Sequence, residues 1–132
     1  YDVLEKNRGK VIYFDFWARW CPPCLAEMEP LKQLRSKFST DDLIIYSICV
    51  SEPKEQWEEC LNEYSLKNRG IECVHVTDYL GIDNYQKIRK QWKIDRMPYY
   101  VLINRKGQII DFGTAARPSN PQLVSRIEEA VK

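Results

Sequence analysis

A chain of 132 residues is long enough for one domain whose core holds a sheet and several helices. Its formal net charge of +1, with acids and bases interspersed, supplies neither a basic face for nucleic acid nor an acidic tail, so no nucleic-acid partner is predicted. No run approaches the roughly 18 apolar residues of a membrane span, and the longest, Leu43 to Val50, has strand length and contains a serine.

The segment KVIYFDFW, Lys10 to Trp17, is β-branched and aromatic almost throughout and predicts a strand buried on both faces. The motif WCPPC follows at its C-terminal end. Leu25, Met28, Leu31, Leu34 and Phe38 recur every three or four residues and predict a helix, kinked where Pro30 removes a backbone donor. LIIYSICV, Leu43 to Val50, is a second buried strand, after which Ser51-Glu52-Pro53 opens a helix running to about Leu66. Strand, helix, strand, helix implies parallel pairing with right-handed crossovers. Ile71 to Thr77 predicts a short strand, and Asn84 to Trp92 a helix with Tyr85, Ile88 and Trp92 on one face. Tyr99 to Ile103 and Gln108 to Phe112 flank Asn104-Arg105-Lys106-Gly107, a hairpin turn with glycine where positive φ is needed. Ser119-Asn120-Pro121 caps a final helix that turns Leu123, Ile127 and Val131 inward. The chain begins at Tyr1 with neither methionine nor a charged-then-apolar leader, which reads as an excised piece of a longer precursor.

Five cysteines are an odd number, and only Cys21 and Cys24 lie close together. A thiol at a strand-to-helix junction meets unpaired amides and the positive end of the helix dipole, both of which favour thiolate, so Cys21 is the expected nucleophile. Cys24, one turn further on, is placed to attack Cys21 in a mixed disulfide and release the substrate. Pro22 and Pro23 stiffen the loop between them and remove two amide donors. Asp15 interrupts the apolar strand six residues before Cys21. It is either a desolvated acid with a raised pKa, able to take the Cys24 proton, or a strand-end aspartate with one side in water; spacing alone leaves the two even. Pro98 starts a strand, where its missing donor is tolerated.

These segments, VIYFDFWARWCPPC, WKIDRMPYYVLINRKGQII and the closing helix, resemble the thioredoxin-like fold along nearly the whole chain. WCPPCLAEMEPLKQL, with Glu27 three residues after the second cysteine, and the extra helix and strand between Ser51 and Asp78 resemble the TlpA/ResA-like thiol–disulfide oxidoreductases, mostly extracytoplasmic bacterial proteins. The resemblance implies an α/β thioredoxin fold, a central mixed sheet flanked by helices with a helix–strand insertion at about 51–78, spanning 1–132 as one domain. It implies that Asp15 is the buried acid, that Pro98 is a cis-proline presenting the Met97 backbone to an extended substrate, and that Trp20 shields the disulfide. Pro30 falls one position later than the usual kinking proline of that fold. The WCPPC string also occurs in cytosolic and nuclear relatives of the fold, so a cytoplasmic location is the alternative.

The expected function is therefore protein-disulfide reduction by a monomer. Cys21, Cys24 and Asp15 are its catalytic residues, and Trp20, Pro22, Pro23, Met97 and Pro98 its substrate contacts. No cofactor or metal is needed beyond the dithiol, and the partners are protein dithiols or disulfides with a separate recycling partner. The competing reading is a redox-inactive or metal-carrying domain. Zinc would require Cys49, Cys60, Cys73 and His75 to converge from separate elements, and copper would want a histidine near the dithiol, whereas His75 reads as a satisfied or surface residue. A peroxidase would want threonine or serine where Ala18 stands. Cys49 reads as core packing, and Cys60 and Cys73 are close enough in the chain to form a second disulfide.

Overall fold

The first predicted strand forms as β1 (Val11–Trp17), buried along its whole length because both its faces carry large apolar side chains. The computed structural model describes the backbone of residues 2–51, 53–79 and 81–132, and their side chains except those of residues 2, 79 and 81–84. Tyr1 and Glu52, the latter part of the expected Ser51-Glu52-Pro53 opening, lie outside the described residues. β1 pairs in parallel with β2 (Leu43–Cys49), and β2 in parallel with β3 (Ile71–His75). On its other side β1 pairs antiparallel with β4 (Tyr99–Ile103), which pairs antiparallel with β5 (Ile109–Gly113). The resulting mixed five-stranded sheet has the order β3-β2-β1-β4-β5.

Strand alternation divides the core. Ile12, Phe14 and Phe16 face an aromatic layer, with ring centroids 5.6 Å apart for Phe14–Tyr46 and 5.5 Å for Phe14–Trp92. Val3 of α1 (Asp2–Lys6) and Tyr85 and Ile88 of α6 (Gly81–Gln91) close this layer. The opposite face packs Val11 and Tyr13 against Leu31 and Leu34 of α3 (Met28–Lys37) and Leu123 and Ile127 of α7 (Pro121–Val131). A third cluster, at the C-terminal ends of β1 and β2, gathers Trp17, Cys49 and Met28 with Cys21, with Cys24 of α2 (Pro22–Ala26) and with Cys60 and Leu61 of α4 (Lys54–Glu63).

Several boundaries differ from the sequence reading for identifiable reasons. The helix expected over 25–38 starts at Pro22 and breaks at Glu27, because Pro30 cannot donate to the carbonyl of Ala26, and α3 resumes with Leu31 N donating to Glu27 O at 2.9 Å. α4 stops at Glu63 rather than near Leu66, since Ser65 adopts φ 54° and Leu66 N closes onto Leu61 O at 3.0 Å. β3 ends at His75 rather than Thr77. There the imidazole Nδ1 captures Thr77 through its hydroxyl at 2.7 Å and its amide at 3.3 Å, withdrawing that amide from the ladder and leading into α5 (Val76–Tyr79). The hairpin turn is as expected, with Gly107 at φ 79° and Asn104 Oδ1 accepting from the amides of Lys106 and Gln108. Asn120 caps α7 by accepting from Gln122 N at 3.0 Å, with Pro121 in its first turn.

Candidate active site

Cys21 is the N-cap of α2 and keeps an extended backbone, φ −110° and ψ 97°. Pro22 and Pro23 occupy the first helical positions and carry no N–H, so Cys24 N is the first helix amide able to donate. It donates to Cys21 Sγ at 3.3 Å. The two sulfurs are joined as a disulfide with their Cα atoms 5.3 Å apart. Both cysteines are buried, whereas Pro22 and Pro23 are exposed and Trp20 stands 70% exposed directly before the pair.

Asp15 is buried at 4% exposure, between Tyr13 and Trp17 on the face of β1 that α2 and α3 cover. Its register partners are Ser47 on β2 and Tyr100 on β4, and Ser47 Oγ donates to Asp15 Oδ2 at 3.2 Å. Burial is the main cause that lifts the Asp15 carboxyl from 3.8 to about 7; the Ser47 bond opposes the rise and the Glu27 carboxylate adds to it. The strand-end aspartate with one side in water is thus not what this side chain is.

Met97 packs against both the aromatic layer and the cluster that holds the cysteines. The Met97–Pro98 peptide bond is cis, and the Pro98 carbonyl accepts from Thr114 Oγ1 at 2.9 Å. Tertiary structure adds contacts that spacing did not predict. Glu27 accepts from Ser119 N and Oγ at 2.9 and 2.7 Å, tying the helix break to the start of α7. Ser51 Oγ accepts from Arg19 N at 3.0 Å, and His75 Nε2 donates to the Ser51 carbonyl at 2.7 Å, anchoring the loop before Cys21 to the end of β3. The signals available for these were Glu27 three residues after Cys24 and the serines of Ser51-Glu52-Pro53 and Ser119-Asn120-Pro121 at helix starts.

His75 is buried with both ring nitrogens engaged, Nδ1 by Thr77 and Nε2 by Ser51. Among the described residues no cluster of three or more histidine, cysteine or acidic side chains could hold a metal ion. The second disulfide that the chain separation of Cys60 and Cys73 allowed does not form, and both are free thiols. Cys60 is buried from α4 among Cys49 and Leu61, whereas Cys73 lies on β3 with its Sγ 3.8 Å from the Leu66 carbonyl. Burial raises the Cys60 thiol and pushes Cys73 up to about 11, so neither ionises readily near neutral pH.

A mixed sheet with this strand order, and a disulfide capping the helix that follows its central strand, define a protein of the thioredoxin-like fold carrying a CXXC centre. The chain belongs to the Redoxin family, whose model matches residues 1–131. It is 26% identical over 108 residues to the thiol-disulfide oxidoreductase ResA of Bacillus anthracis, an alignment covering 82% of this chain and 57% of that protein. To ResA of Halalkalibacterium halodurans it is 24% identical over 129 residues, covering 98% of this chain and 66% of that protein. The solution structure of a candidate thiol-disulfide oxidoreductase from Bacteroides vulgatus superposes with a TM-score of 0.73 at 32% identity, covering 96% of this chain and 76% of that one. The chain spans a little over half the length of the first of the curated relatives it matches.

Proposed function

We propose that residues 1–132 act as one thiol–disulfide oxidoreductase domain that reduces disulfides in protein substrates. The observation that carries this is Cys21 at the helix N-cap, bridged to Cys24 and accepting the Cys24 amide. The same amide stabilises a Cys21 thiolate once the pair is reduced. That thiolate attacks a substrate disulfide, forming a mixed disulfide and expelling one substrate thiolate. Asp15 then takes the proton from Cys24. The Cys24 thiolate attacks Cys21 Sγ, the Cys21–substrate bond breaks, and the second substrate sulfur leaves as thiolate. Two electrons pass to the substrate and the Cys21–Cys24 disulfide is regenerated.

Trp20, Pro22 and Pro23 supply the exposed rim that a substrate meets, and the Met97–Pro98 segment lies against its extended chain. Support for Asp15 as the proton acceptor is its burial beneath α2 and a carboxyl that titrates near neutrality. A recycling partner returns electrons to the pair, and we place the monomeric domain outside the bacterial cytoplasm, in the periplasm or tethered to a membrane. Among the described residues no helix is long and apolar enough to cross a membrane itself. Equilibrium titration of the dithiol against glutathione or dithiothreitol tests the reading. A midpoint near about −270 mV fits a reductase, one near about −120 mV makes it an oxidant, and a pair that never titrates overturns the activity.

A further inference from the structure

Across the sheet, one register row sets Cys73, Ser47, Asp15 and Tyr100 side by side on β3, β2, β1 and β4. Asp15 and Ser47 are both buried, and Tyr100 is fully enclosed with a hydroxyl that has no hydrogen-bond partner among the described residues. Among the described residues, the hydrogen bond to the Asp15 carboxylate is the 3.2 Å bond from Ser47 Oγ. A buried carboxylate is strongly disfavoured without such a donor, so this hydroxyl offsets part of the cost that burial puts on the anion.

We propose that Ser47 is a positioning residue for the dithiol chemistry, its hydroxyl orienting the Asp15 carboxylate and setting the pH at which Cys24 is deprotonated to resolve the mixed disulfide. The inference rests on the assignment of Asp15 as proton acceptor made above. In the step concerned, the Cys24 S–H bond breaks and an Asp15 O–H bond forms, after which the thiolate attacks Cys21 Sγ and the substrate thiolate leaves. The Ser47 O–H points at Oδ2 throughout and transfers no proton. The other groups around Asp15 act in the opposite sense or stay uncharged. Glu27, at the end of α2, disfavours the anion. Tyr13, Tyr100 and Cys73 are all lifted by burial, with Asp15 itself contributing, and remain neutral near pH 7. Of the described groups that act on Asp15, the Ser47 hydroxyl is the one that favours its charge.

The test compares the wild type with Ser47→Ala, Ser47→Thr and Asp15→Asn. Two readouts are needed: the 13C carboxyl shift of Asp15 in the oxidised protein, where neither active-site cysteine titrates, and the pH dependence of mixed-disulfide resolution in the reduced one. Loss of one hydrogen bond to a charged group should raise the Asp15 midpoint in Ser47→Ala by about one pH unit. The limb of the resolution profile should rise with it, slowing resolution at pH 7 roughly fivefold, as follows when half-ionised Asp15 becomes about one-tenth ionised. Ser47→Thr keeps the hydroxyl and should hold both midpoints near the wild-type values, and Asp15→Asn should erase the limb. An unmoved carboxyl midpoint in folded Ser47→Ala, with the limb still lost in Asp15→Asn, overturns the role of Ser47 and leaves Asp15 standing. A midpoint that moves while the limb stays put overturns the link to catalysis by showing that Asp15 is not the acceptor.

Discussion

The two faces of β1 carry alternate residues of one seven-residue strand, yet they do different work. Ile12, Phe14 and Phe16 join a hydrophobic layer in which aromatic rings stack and tilt against Tyr46, Tyr85 and Trp92. Tyr13, Asp15 and Trp17 point the other way, toward the face that α2, α3 and α7 cover, and two of those three side chains have a hydrogen-bonded polar group: Tyr13 donates to the Ala116 carbonyl at 2.6 Å, and Asp15 accepts from Ser47. A buried ionisable group is tolerated on the second face because a donor sits opposite it in register. The comparison teaches that both faces of the strand are packed into core while the buried acid sits on only one of them, a separation made possible by the two-residue period of the extended chain.

The largest effect should come from the chemical side. Cys21→Ser removes the sulfur proposed to attack and should abolish reduction of insulin-type disulfides while keeping the urea midpoint near that of the reduced wild type; residual turnover would break the assignment of Cys21 as nucleophile. On the packing side, Phe14→Ala should cost about 3–5 kcal/mol in urea unfolding, the range for deleting a large buried ring, and leave the Asp15 midpoint where it is. A shift of that midpoint would show that the two faces are coupled after all.

The buried acid links the sides through pH. Folded Asp15 keeps its proton up to about pH 7, whereas the unfolded chain releases it near 3.8. Between those values the folded state binds more protons, so stability should fall as pH rises, reaching a loss of roughly 4 kcal/mol above the folded midpoint. Asp15→Asn should flatten that slope, and unfolding free energies measured across the window would sharpen the comparison by giving the cost of the carboxylate directly. The smallest effect belongs to the exposed rim: Trp20→Ala should alter stability by no more than about 0.5 kcal/mol while raising KM for a disulfide-bonded peptide.

Much of the fold was legible because it rests on local chemistry. The apolar runs gave β1 and β2, Leu123 and Ile127 with Asn120-Pro121 gave α7, and Asn104 to Gly107 gave the hairpin. The boundaries that moved were set by particular contacts. His75 pulling Thr77 out of the β3 ladder, and the left-handed Ser65 ending α4, depend on side-chain and backbone geometry that periodicity does not encode. The short helices α1 and α5 were missed because neither is long enough to display a helical repeat.

The sequence by itself determined that Cys21 and Cys24 form a dithiol at a strand-to-helix junction, because a three-residue spacing and two prolines are properties of neighbouring residues. It also placed an acid in the middle of a buried strand. Only the tertiary structure decided between the two readings of that acid, and it did so by bringing Ser47 from 32 residues away to face it and by covering it with α2 and α3. The same kind of choice left Cys60 and Cys73 as separate thiols. Burial and partnership across the sheet follow from strand register and helix packing, which are set by the whole core rather than by any one segment.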